Sequence, residues 1–374
     1  MKEHTASFTQ FFLPRANFAT LLLCLQRRGY QIVGPQLRDH AIVYDVLQSV
    51  SDLPQGVTVV QEPGRYTVTH GMSERFFAWA NGPQALKPLL FTPRETLWRV
   101  RRDENGALQF VAETASMPPT AVIGVRACDL AALRVHDRVL LKSAEPDPHY
   151  AARRAQLFLI AVNCSDPAST CFCASTGDGP HADAGFDMAL TELDDGFTVQ
   201  AGNALGQTIV DELSLNLASD AHHFAVGQQR ERASQVQTRS LPSVARRLRL
   251  MEQLEHPRWQ EVAERCLSCG NCTQVCPTCF CHKQSTENDL ATAESEQVRE
   301  WDSCFSQQHS YIHGTTMRGD TRARYRQWLT HKLATWHEQF DMSGCVGCGR
   351  CIAWCPVGID LTVETTAMVG ELSS

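Results

Sequence analysis

The chain has 374 residues, 43% hydrophobic and 20% charged, with a formal net charge of −7. Such proportions belong to a globular protein of two or three domains and exclude disorder over most of the length. No apolar run approaches the ~18 residues of a membrane span, and the acidic balance argues against a general nucleic-acid binder.

The apolar run 18–25 is short. It is preceded by Pro14 and Arg15, followed by Gln26-Arg27-Arg28, and lacks a small-residue cleavage site, so it reads as helix and not as a signal peptide. A helix is predicted over 16–28, ending near Gly29. Short strands follow at 30–33 and 41–46, separated by a Gly34-Pro35 break, and segments 57–60 and 66–68 extend the β pattern across Pro63-Gly64. Residues 121–125 form an apolar strand. Asp129 then caps a helix carrying Leu130, Leu133, Val135 and Leu140. A short helix over 150–156 leads to a second buried strand at 157–162. Strand, helix, strand implies a parallel pair with a right-handed crossover. Residues 201–240 carry little information. The basic clusters at 246–249 and 318–326 read as solvated helix faces. From about Met251 the chain is polar and helical. Over 322–340, Tyr325, Trp328, Leu329, Leu333, Trp336 and Phe340 share one face, a packing stripe. The expected architecture is an α/β N-terminal domain with a partly parallel sheet (1–250) and a mostly α-helical, ferredoxin-like dicluster domain (251–374).

Sixteen cysteines are present, eleven of them beyond residue 250. Their bunching suits metal ligation better than disulfides, which implies a reducing, cytoplasmic setting. Cys266, Cys269, Cys272 and Cys276-Pro277 form one run; Cys345, Cys348, Cys351 and Cys355-Pro356 form another. In this spacing three thiolates from one loop take three corners of a cubane, and the fourth cysteine points away to the other cluster. The expected sets are Cys266, Cys269, Cys272 and Cys355 on one [4Fe–4S] cluster, and Cys345, Cys348, Cys351 and Cys276 on a second. Structural zinc prefers two separated ligand pairs, which neither run provides. Gly270, Gly347 and Gly349 suit tight loops whose N–H groups face the sulfurs. The 68 residues between Cys276 and Cys345 are a large insertion that must loop out and return.

A weaker pattern lies upstream. Cys128 follows the first apolar strand and Cys164 the second, while Cys171 and Cys173 lie on the loop beyond. If the strands are parallel, all four meet at the carboxyl edge of the sheet, where α/β proteins hold ligands. They are candidates for a third [4Fe–4S] cluster, with Arg126 near enough to offset its charge; the alternative is four buried, unreactive thiols. The tetrapeptide Thr170-Cys171-Phe172-Cys173 recurs as Thr278-Cys279-Phe280-Cys281. Cys279, Cys281 and Cys304, with His282 adjacent, do not complete a cubane and stay unassigned, and Cys24 reads as core. No dinucleotide fingerprint, phosphate loop or Ser/His/Asp constellation occurs. Residues 65–68 match a flavin-contacting tetrapeptide only faintly. His222, His223, His309 and His313 read as structural or surface residues. The chain has the character of an electron carrier without substrate chemistry of its own.

Nearly the whole chain resembles the β subunit of the cytosolic sulfhydrogenase type of [NiFe] hydrogenase, a family related to the A subunit of anaerobic sulfite reductase. The resemblance rests on Gly82-Pro83 with Lys87 and Leu90-Phe91, Gly124-Val125-Arg126 with Cys128-Asp129-Leu130, Asn163-Cys164, both Thr-Cys-Phe-Cys blocks, Gly177 with Gly179-Pro180, Trp301-Asp302-Ser303-Cys304, His331-Lys332, and the second cysteine run. Ala127 stands where many relatives have proline. The resemblance implies a soluble complex in which this chain relays electrons between a flavin- and NAD(P)-binding oxidoreductase subunit and the small and large subunits of the [NiFe] hydrogenase, without touching nucleic acid or membrane. It leaves open a sulfite reductase partner, which neighbouring genes distinguish. An iron–sulfur redox sensor is the alternative from another class, and it would need a DNA or effector surface.

Overall fold

The computed structural model describes residues 9–289 and 294–370. Its main strands, in chain order, are β1 (Gln10–Pro14), β2 (Gln31–Arg38), β3 (Ala41–Val46), β4 (Val57–Glu62), β5 (Arg65–His70), β6 (Arg94–Arg102), β7 (Leu108–Ala112), β8 (Thr120–Val125), β9 (Leu157–Val162), β10 (Met188–Glu192), β11 (Gly196–Ala201), β12 (Asn216–Leu217), β13 (His282–Asp289) and β14 (Glu294–Trp301). Eight of them make one mixed sheet in the order β12-β1-β11-β10-β9-β8-β2-β3. Its centre, β10, β9, β8 and β2, is parallel. Every residue of β8 is buried, which explains an unbroken apolar run in place of alternation. Leu130 and Leu133 of the helix Ala127–Leu140 share a core with Val122 and Leu159. Phe18, Leu21 and Leu25 of the helix Phe18–Arg27 join Ile123, Ile160 and Phe197 in another. Cys24 is buried there as expected, its thiol donating to Glu212 Oε2 at 2.9 Å.

Two local expectations are corrected. Gly34-Pro35 does not break the strand, because β2 runs through it. Pairing with β8 stops at Val33, so the missing N–H of Pro35 needs no partner on that side. The reversal comes later, at Asp39 and His40, both with positive φ. Asp129 is not the cap of its helix. Arg126 takes the cap position, and the Asp129 carboxylate is used in a buried ion pair with Arg350, 2.7 Å away.

A second sheet, β13-β14-β6-β7, is antiparallel throughout. Its strands come from both sides of residue 250, and β13 and β14 lie inside the insertion. The insertion is therefore not mostly helical. Its hairpin has no apolar periodicity to read: of its described residues only Val298 and Arg299 are buried. Charge fastens it instead. Glu95 of β6 meets Arg299 of β14, and it meets Arg153 at 2.6 Å and His149 at 2.9 Å from the helix Pro148–Arg154; Arg299 also pairs with Asp147.

The chain returns to the second cysteine run along Thr321–Thr330, a π-helical turn His331–Thr335, and Trp336–Phe340. Tyr325, Trp328, Leu329, Leu333 and Trp336 are buried as expected, and the half-buried Phe340 packs on Trp336 at 4.4 Å between ring centroids. Lys332, within the π turn, is also buried; such turns recur at functional sites. Among the described residues no helix is long and apolar enough to cross a membrane.

Candidate metal centres

The first run leaves the helix Arg258–Arg265 at Cys266 and turns at Gly270, whose φ of +77° suits glycine. Cys266, Cys269 and Cys272 line one cavity together with Cys351 and Cys355, the last two cysteines of the other run. Phe305, Tyr325 and Trp328 supply its apolar wall. The Ser268 N–H lies 3.4 Å from Cys266 Sγ, and the Ile359 N–H lies 3.3 Å from Cys355 Sγ. Burial raises the Cys272 thiol well above its ordinary value, and the neighbouring Cys266, Cys355 and Cys269 add to this. Cys269 is exposed and Leu267 is 64% exposed, so this centre borders solvent.

The second run lies deeper. Cys276, Cys345 and Cys348 are buried. Burial pushes the Cys345 thiol up to about 12, and Cys348 and Cys276 contribute to the rise; Cys351 is raised by burial and by Cys345, Cys348 and Cys276. Buried cations surround the group. Lys332 Nζ donates to Thr278 Oγ1 at 2.8 Å and Gly344 O at 3.2 Å, and contacts Cys276. Lys87 Nζ donates to the carbonyls of Thr273, Gln274 and Cys276 at 3.3–3.4 Å and stands 3.9 Å from the Trp301 ring. Among the described residues neither lysine has a carboxylate partner within salt-bridge distance. Buried charges are costly unless paired, and a tetrathiolate cluster held there would supply the missing anion. Both donor sets thus fit a [4Fe–4S] cubane.

The upstream cysteines also meet. Cys128 sits in the first turn after β8, and Cys164 follows β9. Thr170-Cys171-Phe172-Cys173 packs on the second run: the Phe172 N–H donates to Gly347 O at 2.8 Å, and Cys171 Sγ lies 3.8 Å from Cys348 O. A Cβ on Gly347 would come within 2.6 Å of the Cys173 backbone, and one on Gly349 within 2.4 Å of Thr170 O. Burial raises the thiols of Cys171 and Cys173, and both feel Cys164 and Cys348; Cys128 feels Cys173 and Cys348. Asn81 Nδ2 donates to Cys128 Sγ at 3.2 Å. Arg126 is buried, and its guanidinium spans the carbonyls of Phe77, Trp79, Val162 and Asn163. No carboxylate lies within salt-bridge distance of it among the described residues.

One group that the sequence left unassigned, open to a metal or a docking surface, gains members in the fold. Cys279, Cys281, Cys304, His309, His331 and Lys332 line a common cleft. His309, read from sequence as structural or surface, has Nδ1 2.8 Å from Asp302 Oδ2 and hydrogen-bonds Cys281. The two thiol-bearing ends of the insertion hairpin offered the only hint, since their pairing was not legible.

Residues 265–359 match a 4Fe-4S dicluster domain, and residues 229–280 match a second 4Fe-4S dicluster domain family. The chain is 31% identical over 285 residues to sulfhydrogenase 2 subunit beta of Pyrococcus furiosus, covering 73% of this chain and 79% of that relative. No solved structure matches. By this likeness, and by cysteine runs that fall within the dicluster match, the chain belongs to the sulfhydrogenase β-subunit family of iron–sulfur electron-transfer proteins.

Proposed function

We propose that the chain carries electrons through a row of three [4Fe–4S] clusters in a cytoplasmic complex. One end faces a flavin- and NAD(P)-binding oxidoreductase subunit; the other faces the small and large subunits of a [NiFe] hydrogenase. The first cluster takes Cys266, Cys269, Cys272 and Cys355. The second takes Cys345, Cys348, Cys351 and Cys276, and the third Cys128, Cys164, Cys171 and Cys173. When bound, each supplies a one-electron centre whose potential follows charge, hydrogen bonds and solvent.

The observation that carries this reading is the seating of the Thr170–Cys173 loop on the Gly347 and Gly349 turns. It makes the three thiol groups contiguous. Cys272 and Cys276 feel each other across the ferredoxin module, as Cys348 and Cys173 do across the loop contact. Lys332 and Lys87 hold positive charge at the second site, and Arg126 holds it beside the third. The exposed surface at Leu267 and Cys269 gives the first site a face for a partner.

The test is iron and acid-labile sulfide on the full chain prepared anaerobically. About twelve of each per chain is expected, and Cys171→Ser or Cys128→Ser each removes about four. About eight of each, unchanged by either substitution, removes the third cluster. A colourless, zinc-loaded protein removes all three. Tagged native chain that purifies without a flavoprotein and a [NiFe] pair overturns the assignment of partners.

A further inference from the structure

The cleft beside the second run contains chemistry that the relay does not use. Cys281 directly precedes β13, and Asp302 directly follows β14. The Asp302 N–H donates to Cys281 O at 2.9 Å and closes the base of the hairpin. Cys304 follows two residues later, and its thiol is in hydrogen-bond contact with that of Cys281. His309 hydrogen-bonds Cys281 and is held from behind by Asp302, 2.8 Å from its Nδ1.

We propose that Cys281 and Cys304 form a redox-active dithiol that reduces small disulfides, with His309 as its base and Asp302 as a positioning residue. The proposal rests on the electron-transfer reading above for its source of electrons.

The surroundings favour a reactive thiolate. Contact with Cys304, and then His309, lowers the Cys281 thiol below its ordinary value, while Cys281 and Asp302 raise His309 to about 9. Cys304 is raised, chiefly by the same contact. Lys332, His331 and Arg318 are the other charged or titratable groups along the cleft besides the cysteines. A cysteine beside cations, partly exposed, is the reactive kind. Access is present as well: the cleft encloses about 180 Å³, less than a drug-sized ligand site, so it admits only a small occupant. Cys281 and Cys304 are part-exposed, and His309 is 25% exposed in its side chain. At the floor, buried Cys279 contacts Cys276, which joins the cleft to the second cluster's proposed ligands. A metal site is the poorer reading, since Cys279, the third thiol it would need, turns to Cys276.

The chemistry balances. The Cys281 thiolate attacks one sulfur of R–S–S–R, a mixed disulfide forms, and RS⁻ leaves with the proton of His309. Cys304 then attacks the Cys281 sulfur; its proton leaves with the second thiol, RSH, and the Cys281–Cys304 disulfide remains. Two electrons from the iron–sulfur centres and two protons restore the dithiol. The sum is R–S–S–R + 2 e⁻ + 2 H⁺ → 2 RSH.

The experiment uses the full, cluster-loaded chain and 2-hydroxyethyl disulfide as probe. After incubation with the probe, alkylation and peptide mass analysis should find a Cys281–Cys304 link that titrates as a two-electron couple. Dithionite-reduced protein should reduce the probe; Cys281→Ser and Cys304→Ser should each slow this by about 100-fold or more while iron content and visible absorption stay unchanged. His309→Gln keeps both thiols, and should move the pH midpoint of Cys281 alkylation up by about two units or more. Absence of the link, or probe reduction within about threefold of the native rate in both serine variants, overturns the proposal. So does a loss of about four iron in either variant, which would make these cysteines cluster ligands. Link formation needs no cluster electrons, so a chain that forms the link but whose iron–sulfur absorption dithionite fails to bleach refutes the relay and not the dithiol.

Discussion

Glu95→Gln should loosen the insertion hairpin without touching any cysteine. Burial by itself would raise the Glu95 pKa; the hydrogen bonds from Arg153 and Arg299 overcome that and hold it at about 2, against an ordinary 4.5. At 1.36 kcal/mol per unit, and with a discount for solvent at the partly accessible end of the network, the carboxylate contributes about 2–3 kcal/mol. Because the folded value is depressed, this contribution is fully present above about pH 4.5 and is lost as pH falls through about 2. Work near neutral pH therefore sees all of it, in a range where the thiolate centres are stable. If the hairpin opens as a local unit, the loss accelerates amide exchange in β13 and β14 by roughly 30- to 150-fold, since 1.4 kcal/mol is tenfold. Hydrogen exchange read by mass spectrometry on the holoprotein measures it directly, with the peptide covering β8 as an internal reference. A change of less than threefold in β14, or an equal change in β8, would refute the idea that charge fastens the hairpin.

Cys355→Ser should cost about four iron, and its remaining EPR spectrum should match that of Cys269→Ser and not that of Cys348→Ser; the opposite match would mean uncrossed ligation. Lys332→Met removes a buried positive charge at Cys276, so the second centre should become harder to reduce by roughly 50–100 mV, read by potentiometric titration; a rise in potential would contradict the electrostatic argument. Gly347→Ala places a methyl against the Cys173 backbone at a φ of +64°. It should destabilise the chain by about 1–3 kcal/mol and reduce iron content at the upstream site first; thermal unfolding and iron analysis check both.

The parallel pair β8–β9 and the two cysteine runs were legible because each is a local pattern with one physical cause: full burial in one case, the corners of a cubane in the other. The expectation that Cys128, Cys164, Cys171 and Cys173 share one sheet edge came from strand direction; the fold sets Cys173 by Cys128, and Cys171 by Cys164. What followed from long-range partners was hidden. Asp129 looks like a helix cap in sequence, and only the fold brings Arg350 to it across 221 positions. The hairpin His282–Trp301 is polar on nearly every residue, so period-two patterning was absent, and its role depends on a glutamate nearly 200 residues earlier. His309 looked ordinary for the same reason: Asp302 is near it in sequence, but Cys281 reaches it only through the strand pairing that precedes both.

The mixing of thiols from both runs bears on biosynthesis. Cys276 belongs with thiols that are translated about seventy residues later, and Cys355 closes the cavity that Cys266 opens. If the sets are crossed as proposed, a nascent chain exposes three-quarters of one donor set and cannot complete it until residue 355 has left the ribosome. The upstream group of four is translated early, yet its loop lacks the Gly347 and Gly349 surface against which it is seated. With crossed ligation, iron loading of either ferredoxin-type site would wait for both runs, and a chain terminated between them would carry thiols but no finished site. The long insertion, with its own hairpin anchored on β6, is the element that must fold before the two runs can meet.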